Sequence, residues 1–182
     1  MNSKTRRAQI VGTGLIGGSV ALALKSAGWH VTGKDIQESR VERARELGVI
    51  DDIGIDSNAE LTVVAVPASA LEAEVTNALE QTKGIVTDTG SVKTAVSQNI
   101  RNSRFIPGHP MAGSEQEGVD GADPRIFDGA VWVLTPTEGT DDLGLRDLQT
   151  IVSSMGCDVV TMAPELSLIH ISEPTRQEAI SY

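Results

Sequence analysis

Four short stretches of this sequence carry residues whose types and spacing suit chemistry. In Pro107-Gly-His-Pro-Met-Ala-Gly-Ser-Glu115, His109 stands between Gly108 and Pro110, and no apolar periodicity surrounds it. A neutral imidazole so placed can accept a proton from a substrate hydroxyl as a hydride leaves the same carbon. In Asp88-Thr-Gly-Ser-Val-Lys93, Ser91 can hydrogen-bond the same hydroxyl or orient the ring. It can equally cap a helix that begins at Val92. Lys93 suits a substrate carboxylate or a solvated first-turn position, and Glu115 can pair with a basic group or position a loop. His109 and Ser91 are therefore the candidates for catalysis, and Ser91, His109 and Glu115 those for holding substrate.

The third stretch is Gly12-Thr-Gly-Leu-Ile-Gly17, a G-x-G-x-x-G between a short apolar run and a helical pattern. That context is the one the motif needs. Gly12 permits the tight turn, Gly14 lets the backbone approach a pyrophosphate, and Gly17 lets the helix pack against the strand. The N–H groups of the helix start, at Leu15, Ile16 and Gly17, and the helix dipole face the phosphates. Asp35 follows Gly17 by 18 residues, at the end of the next apolar run. A carboxylate there accepts hydrogen bonds from the adenosine ribose and repels a 2′-phosphate, which favours NAD over NADP. Arg40, five residues on, keeps NADP open. Val66 and Pro67, the fourth stretch, end a strand on the same edge and border the cofactor.

These residues need elements to position them. Short apolar runs predict strands over 8–11, 30–32, 61–66, 85–88, 105–107, 131–134 and 158–162. Longer periodic segments predict helices over 15–27, 38–47, 68–81, 92–101 and 141–155. The segment holding His109 reads as a loop. The alternation predicts an α/β fold of Rossmann type, a doubly wound and mostly parallel sheet with helices on both faces. Ligands then bind beyond the carboxyl ends of the strands, where the glycine turn, Ser91 and His109 all fall.

Composition narrows the function. The chain has 182 residues, enough for one well-buried α/β domain. Aromatics make up 3%, so Val, Ile, Leu and Ala must build the core. A net charge of −10 argues against nucleic acid, which needs clustered Lys and Arg. No apolar run is long enough to span a membrane, and Lys4, Arg6 and Arg7 lead into a strand and not into a signal peptide. The single cysteine, Cys157, excludes an internal disulfide and fits a reducing cytoplasm. It reads as a buried small hydrophobe, the alternative being a catalytic thiol. No His, Cys, Asp and Glu spacing resembles a metal site. Residues 1–165 read as the dinucleotide-binding domain. From about residue 166 the pattern fits no expected helix, with Pro174 in its middle, and 166–182 reads as a non-native tail.

Taken together, Gly12-Thr-Gly-Leu-Ile-Gly-Gly-Ser19, Asp88-Thr-Gly-Ser-Val-Lys93, Gly108-His-Pro-Met-Ala-Gly-Ser-Glu115 and Val133-Leu-Thr-Pro-Thr137 resemble the prephenate/arogenate dehydrogenase family of tyrosine biosynthesis. The resemblance runs over roughly residues 8–165 in order. It implies NAD-dependent oxidative decarboxylation: hydride passes from the hydroxyl-bearing ring carbon to NAD, the ring carboxylate leaves as CO2, and the ring becomes aromatic. Prephenate would give 4-hydroxyphenylpyruvate, and arogenate tyrosine. It implies that His109 is the hydrogen-bond acceptor and base, that Ser91 is the serine beside it, and that Glu115 is an acidic group near the substrate entrance. The family continues into an all-helical domain that completes the pocket, supplies a histidine and an arginine, and makes a homodimer. This sequence offers no counterpart, so a truncated, poorly active piece of a cytoplasmic enzyme is expected. Two other readings stay open: a dehydrogenase of the β-hydroxyacid dehydrogenase or imine reductase kind, and a non-catalytic NAD-binding module.

Overall fold

The computed structural model describes residues 4–91, 96 and 99–162. The apolar run of the N-terminus forms β1 (Arg7–Val11), at the centre of a parallel sheet. On one side β1 pairs with β2 (His30–Lys34), which pairs with β3 (Asp52–Ile53). On the other it pairs with β4 (Leu61–Val64), followed by β5 (Ile85–Asp88) and β6 (Phe105–Ile106). The order β3-β2-β1-β4-β5-β6 reverses its direction of winding between β1 and β4. That switch point opens a crevice at the carboxyl ends of the two strands, which is where open α/β sheets bind ligands.

The side-chain period of two divides the core between the sheet's faces. Ala8 and Ile10 of β1 and Leu61 and Val63 of β4 pack with Val20 and Leu24 of helix α1 (Leu15–Ser26), and with Val41 and Ala44 of α2 (Glu38–Glu46). Val11, Val64 and Val86 turn to the other face, against Leu71, Val75 and Ala78 of α3 (Ala68–Gln81). Aliphatic side chains do most of this, as the composition requires. Among the described residues no helix is long and apolar enough to cross a membrane.

Two features depart from the expected single sheet. After β6 only Pro107 intervenes before β7 (Gly108–Met111), so the segment expected as a loop around His109 is a strand. β7 pairs antiparallel with β8 (Val131–Leu134), and β8 pairs parallel with β9 (Asp158–Thr161), in a separate three-stranded sheet. Gly108 and Pro110 hid this strand, because neither has strand propensity and proline cannot donate to a ladder. Pro110 is tolerated because β7 is an edge strand. Helix α4 (Asp142–Ser154) connects β8 to β9 and is capped by the Asp141 carboxylate, which accepts from the Gly144 N–H at 2.8 Å. β3 was not expected either; two residues are too short to show a period. Most of the helix expected over 92–101, together with Lys93 and the segment 166–182, lies outside the described residues.

Between β7 and β8 the chain crosses α1. Two 3₁₀ turns, Val119–Gly121 and Pro124–Phe127, flank a seat made by Gly18 and Ser19. A Cβ on Gly18 would come within 2.9 Å of the Ala122 Cβ. The buried Ser19 hydroxyl donates to the Leu15 carbonyl at 2.7 Å and accepts from the Asp123 N–H at 3.0 Å. Arg43 of α2 reaches Asp120 at 2.7 Å. Ser19→Ala leaves the Asp123 N–H without its acceptor, and a loss of about 1–2 kcal/mol is expected in chemical denaturation. An unchanged denaturation midpoint would show that the seat does not hold the crossing.

Candidate functional site

The three glycines of the turn each meet a different constraint. Gly12 has φ +91°, a backbone conformation suited to glycine, and a Cβ there would run into the Ala65 carbonyl of the segment following β4. A Cβ on Gly17 would overlap the Gly12 carbonyl. Gly14 is different: nothing lies within 4 Å of its Cβ position. Gly14 is also the N-cap of α1, no side chain caps this helix, and its first turn carries no acid. The chain therefore leaves the partial positive charge at the Leu15, Ile16 and Gly17 end of α1 uncompensated, which suits an anionic ligand.

Asp35 follows β2 and reaches back to the turn. Its Oδ2 accepts from the Thr13 N–H at 2.8 Å and from the Thr13 hydroxyl at 3.2 Å, and its Oδ1 accepts from the Gln37 N–H at 2.9 Å. Arg40 stands 3.5 Å from Oδ2. The carboxylate thus braces the middle of the glycine turn, and Asp35 is one of the residues lining a cavity of about 190 Å³. Gly12, Asp35, Val66 and Pro67 line that cavity together with Arg40 and Ile36. Lys34 and Glu74 lie on its wall and pair with each other at 3.0 Å. Ile36 is 98% exposed and offers a flat apolar surface at the rim. Sequence reasoning missed Ile36 and Thr13. The signal for Ile36 was an isolated apolar residue directly after a strand-end acid.

The second group gathers at the carboxyl end of β5. Asp88 is buried there, its Oδ2 accepting from the Gly90 N–H at 2.9 Å and its Oδ1 from the Gly108 N–H at 3.1 Å. The segment leading to Ser91 is thereby joined to the strand carrying His109. His109 is half-buried and lies opposite Val133 of β8. Ser91 is exposed. Glu115 stands on the exposed segment 113–118, and no hydrogen bond or ion pair among the described residues holds it. Asp88 carried no expected role; an acid two residues before a glycine was the available signal.

Cys157, just before β9, is buried. Burial, and then the nearby carboxylates of Asp158 and Asp128, push its thiol up to about 11. The thiolate is the reactive form, so this group is no nucleophile at neutral pH. No cluster among the described residues is built to hold a metal ion.

A family model described as "Prephenate dehydrogenase, nucleotide-binding domain" matches residues 20–161, beginning just past the glycine turn. Prephenate dehydrogenase of Bacillus subtilis (strain 168) is 33% identical over 180 residues, covering 91% of this chain and 48% of that protein. The solved structure of prephenate dehydrogenase from Aquifex aeolicus in complex with hydroxyphenyl propionate and NAD+ is 29% identical, with a TM-score of 0.82, covering 92% of this chain and 63% of that one. Synechocystis arogenate dehydrogenase is 34% identical, with a TM-score of 0.81, over 88% of this chain and 61% of that one. The chain spans about half the length of the relatives that it matches in sequence.

Three outcomes are expected from the site's geometry. Gly14→Ala keeps stability within about 0.5 kcal/mol, since its Cβ meets nothing, yet weakens dinucleotide binding about tenfold or more. Gly12→Ala loses both, because Ala65 must move; calorimetric binding and thermal melts of the two variants separate these cases. Cys157 should not react with a thiol reagent at pH 8 until the chain is unfolded, and rapid labelling of the folded chain would contradict its burial.

Proposed function

The chain belongs to the prephenate dehydrogenase nucleotide-binding domain family, and on that premise we propose that it binds NAD and supplies the catalytic base of a prephenate or arogenate dehydrogenase. The observation that carries this reading is the Asp88 carboxylate, which ties the Ser91 segment and the His109 strand together at the carboxyl edge of β5. That edge adjoins the crevice into which the glycine turn opens.

The cradle fits the cofactor. Leu15, Ile16 and Gly17 offer N–H groups to its pyrophosphate, over the space left clear at Gly14. Asp35 faces the adenosine ribose, and Ile36, Val66 and Pro67 supply apolar surface for the base. Lys34 is paired with Glu74 and Arg40 with Asp35, so a 2′-phosphate would meet matched cations and a carboxylate; NAD is favoured over NADP. When bound, the nicotinamide accepts a hydride. His109 takes the hydroxyl proton of the substrate as the C–H bond at the same carbon breaks. Loss of the ring carboxylate as CO2 leaves its electron pair in the ring, which becomes aromatic, and His109 returns the proton to the phenolic oxygen. Ser91 hydrogen-bonds the hydroxyl and orients the imidazole, and Glu115 borders the entrance. A helical portion beyond this chain would complete the pocket for the substrate's side chain and pair two copies of the enzyme in the cytoplasm.

The test is His109→Asn in an enzyme that includes that helical portion. Turnover should fall about a thousandfold while NAD affinity stays within about threefold. Turnover close to that of the unmodified enzyme would remove His109 from the chemistry and leave a dinucleotide-binding domain of another purpose.

A further inference from the structure

The Ser91 motif begins with a buried acid to which the proposed chemistry gives no part. Asp88 is 1% exposed at the end of β5. Its two oxygens are divided: one takes the Gly90 N–H, the other the Gly108 N–H. Gly90 immediately precedes Ser91, and Gly108 immediately precedes His109. One planar group thus fixes the backbone beside both candidate residues.

The surroundings leave little play. A Cβ on Gly90 would come within 2.6 Å of the Leu71 side chain. One on Gly108 would lie 2.7 Å from the Trp132 indole nitrogen, 2.8 Å from the Thr87 hydroxyl and 2.9 Å from the Asp88 carbonyl. The link also crosses from one sheet to the other, since Asp88 belongs to β5 and Gly108 to β7. Burying a carboxylate is costly unless strong hydrogen bonds reach it, and an apolar residue would fill the same volume more cheaply. What a carboxylate adds is two separate acceptor atoms for two N–H groups. Asparagine has the same shape but one acceptor, and turns an NH2 toward the second N–H.

We propose that Asp88 is the positioning residue of the catalytic pair: its carboxylate sets the placement of Ser91 relative to His109 by clamping the two N–H groups that precede them, without touching substrate. This rests on His109 being the base, as proposed above. Its test reads the surroundings of the imidazole and not turnover, so the two ideas fail separately.

The test is Asp88→Asn in the 182-residue chain, followed through the histidine ring resonances by NMR. The chain has three histidines, and His109→Asn identifies the relevant signal. In folded Asp88→Asn the His109 resonance should move. That of His30, paired with Asp52 at the opposite end of the sheet, should stay, and NAD affinity should hold within about threefold. A folded variant with the His109 signal in place overturns the proposal. So does a loss of NAD affinity beyond about tenfold, which would mean damage spread to the cradle. If the variant does not fold, hydrogen exchange in the unmodified chain decides. The Gly90 and Gly108 amides should exchange at least about a hundredfold more slowly than those of Gly113 and Gly118 on the exposed segment. Equal rates at either overturn the clamp.

Discussion

The close approach of β1 to β4 at the glycine turn is the constraint on which the rest of this fold depends. The Ala65 N–H donates to the Val11 carbonyl at 2.7 Å, and the Gly12 N–H to the Lys34 carbonyl at 2.8 Å, so the parallel ladder continues past all three strands. β1 must then rise into α1 within the space between Ala65 and Gly17, and no side chain fits at Gly12 or Gly17. The crevice, the helix N-terminus and the cavity beside Asp35 follow from that one crowded turn. A larger residue at Gly12 would not merely obstruct a ligand. It would separate the two strands that define the switch point.

An acidic chain that binds an anionic dinucleotide cannot rely on net charge. Local dipoles supply the attraction instead. The start of α1 offers backbone N–H groups that no side chain caps, while the nearby Lys34 and Arg40 are already matched by Glu74 and Asp35. Asp35 lines the cavity, and its carboxylate reaches back onto Thr13 of the turn. The cradle is further braced by Ser19, which ties the first turns of α1 to the chain crossing from the His109 strand. The glycine turn and the His109 strand are therefore mechanically continuous, and Asp88 joins the Ser91 segment to that strand.

Much of this was legible in the sequence where a residue type is demanded locally. The glycine turn announced its own strand and helix, and the bounds of α3, β5 and β8 were readable because their apolar periods are clean and their flanks carry turn residues. The prephenate dehydrogenase resemblance was legible in the segments around Ser91 and His109. What escaped depends on contacts distant in sequence. β7 is made of Gly108, His109, Pro110 and Met111, a sequence with no strand character, and only pairing with β8 makes it one. The division into two sheets hinges on a single proline, Pro107. The role of Asp88 was hidden because its second partner is 20 positions away. Ile36 looked like an ordinary apolar residue until the fold exposed it at the rim of a cavity.

On the function proposed above, one bound dinucleotide spans from the glycine turn to His109. The most direct test of that span is titration of the 182-residue chain with NAD+, followed residue by residue through amide and histidine ring resonances. Saturable shifts with a common affinity are expected at Gly12 to Gly17, at Asp35, and at Gly108 and the His109 ring. Shifts confined to the turn and Asp35, with His109 unmoved at saturation, would contradict it, because the nicotinamide would then lie away from the proposed base.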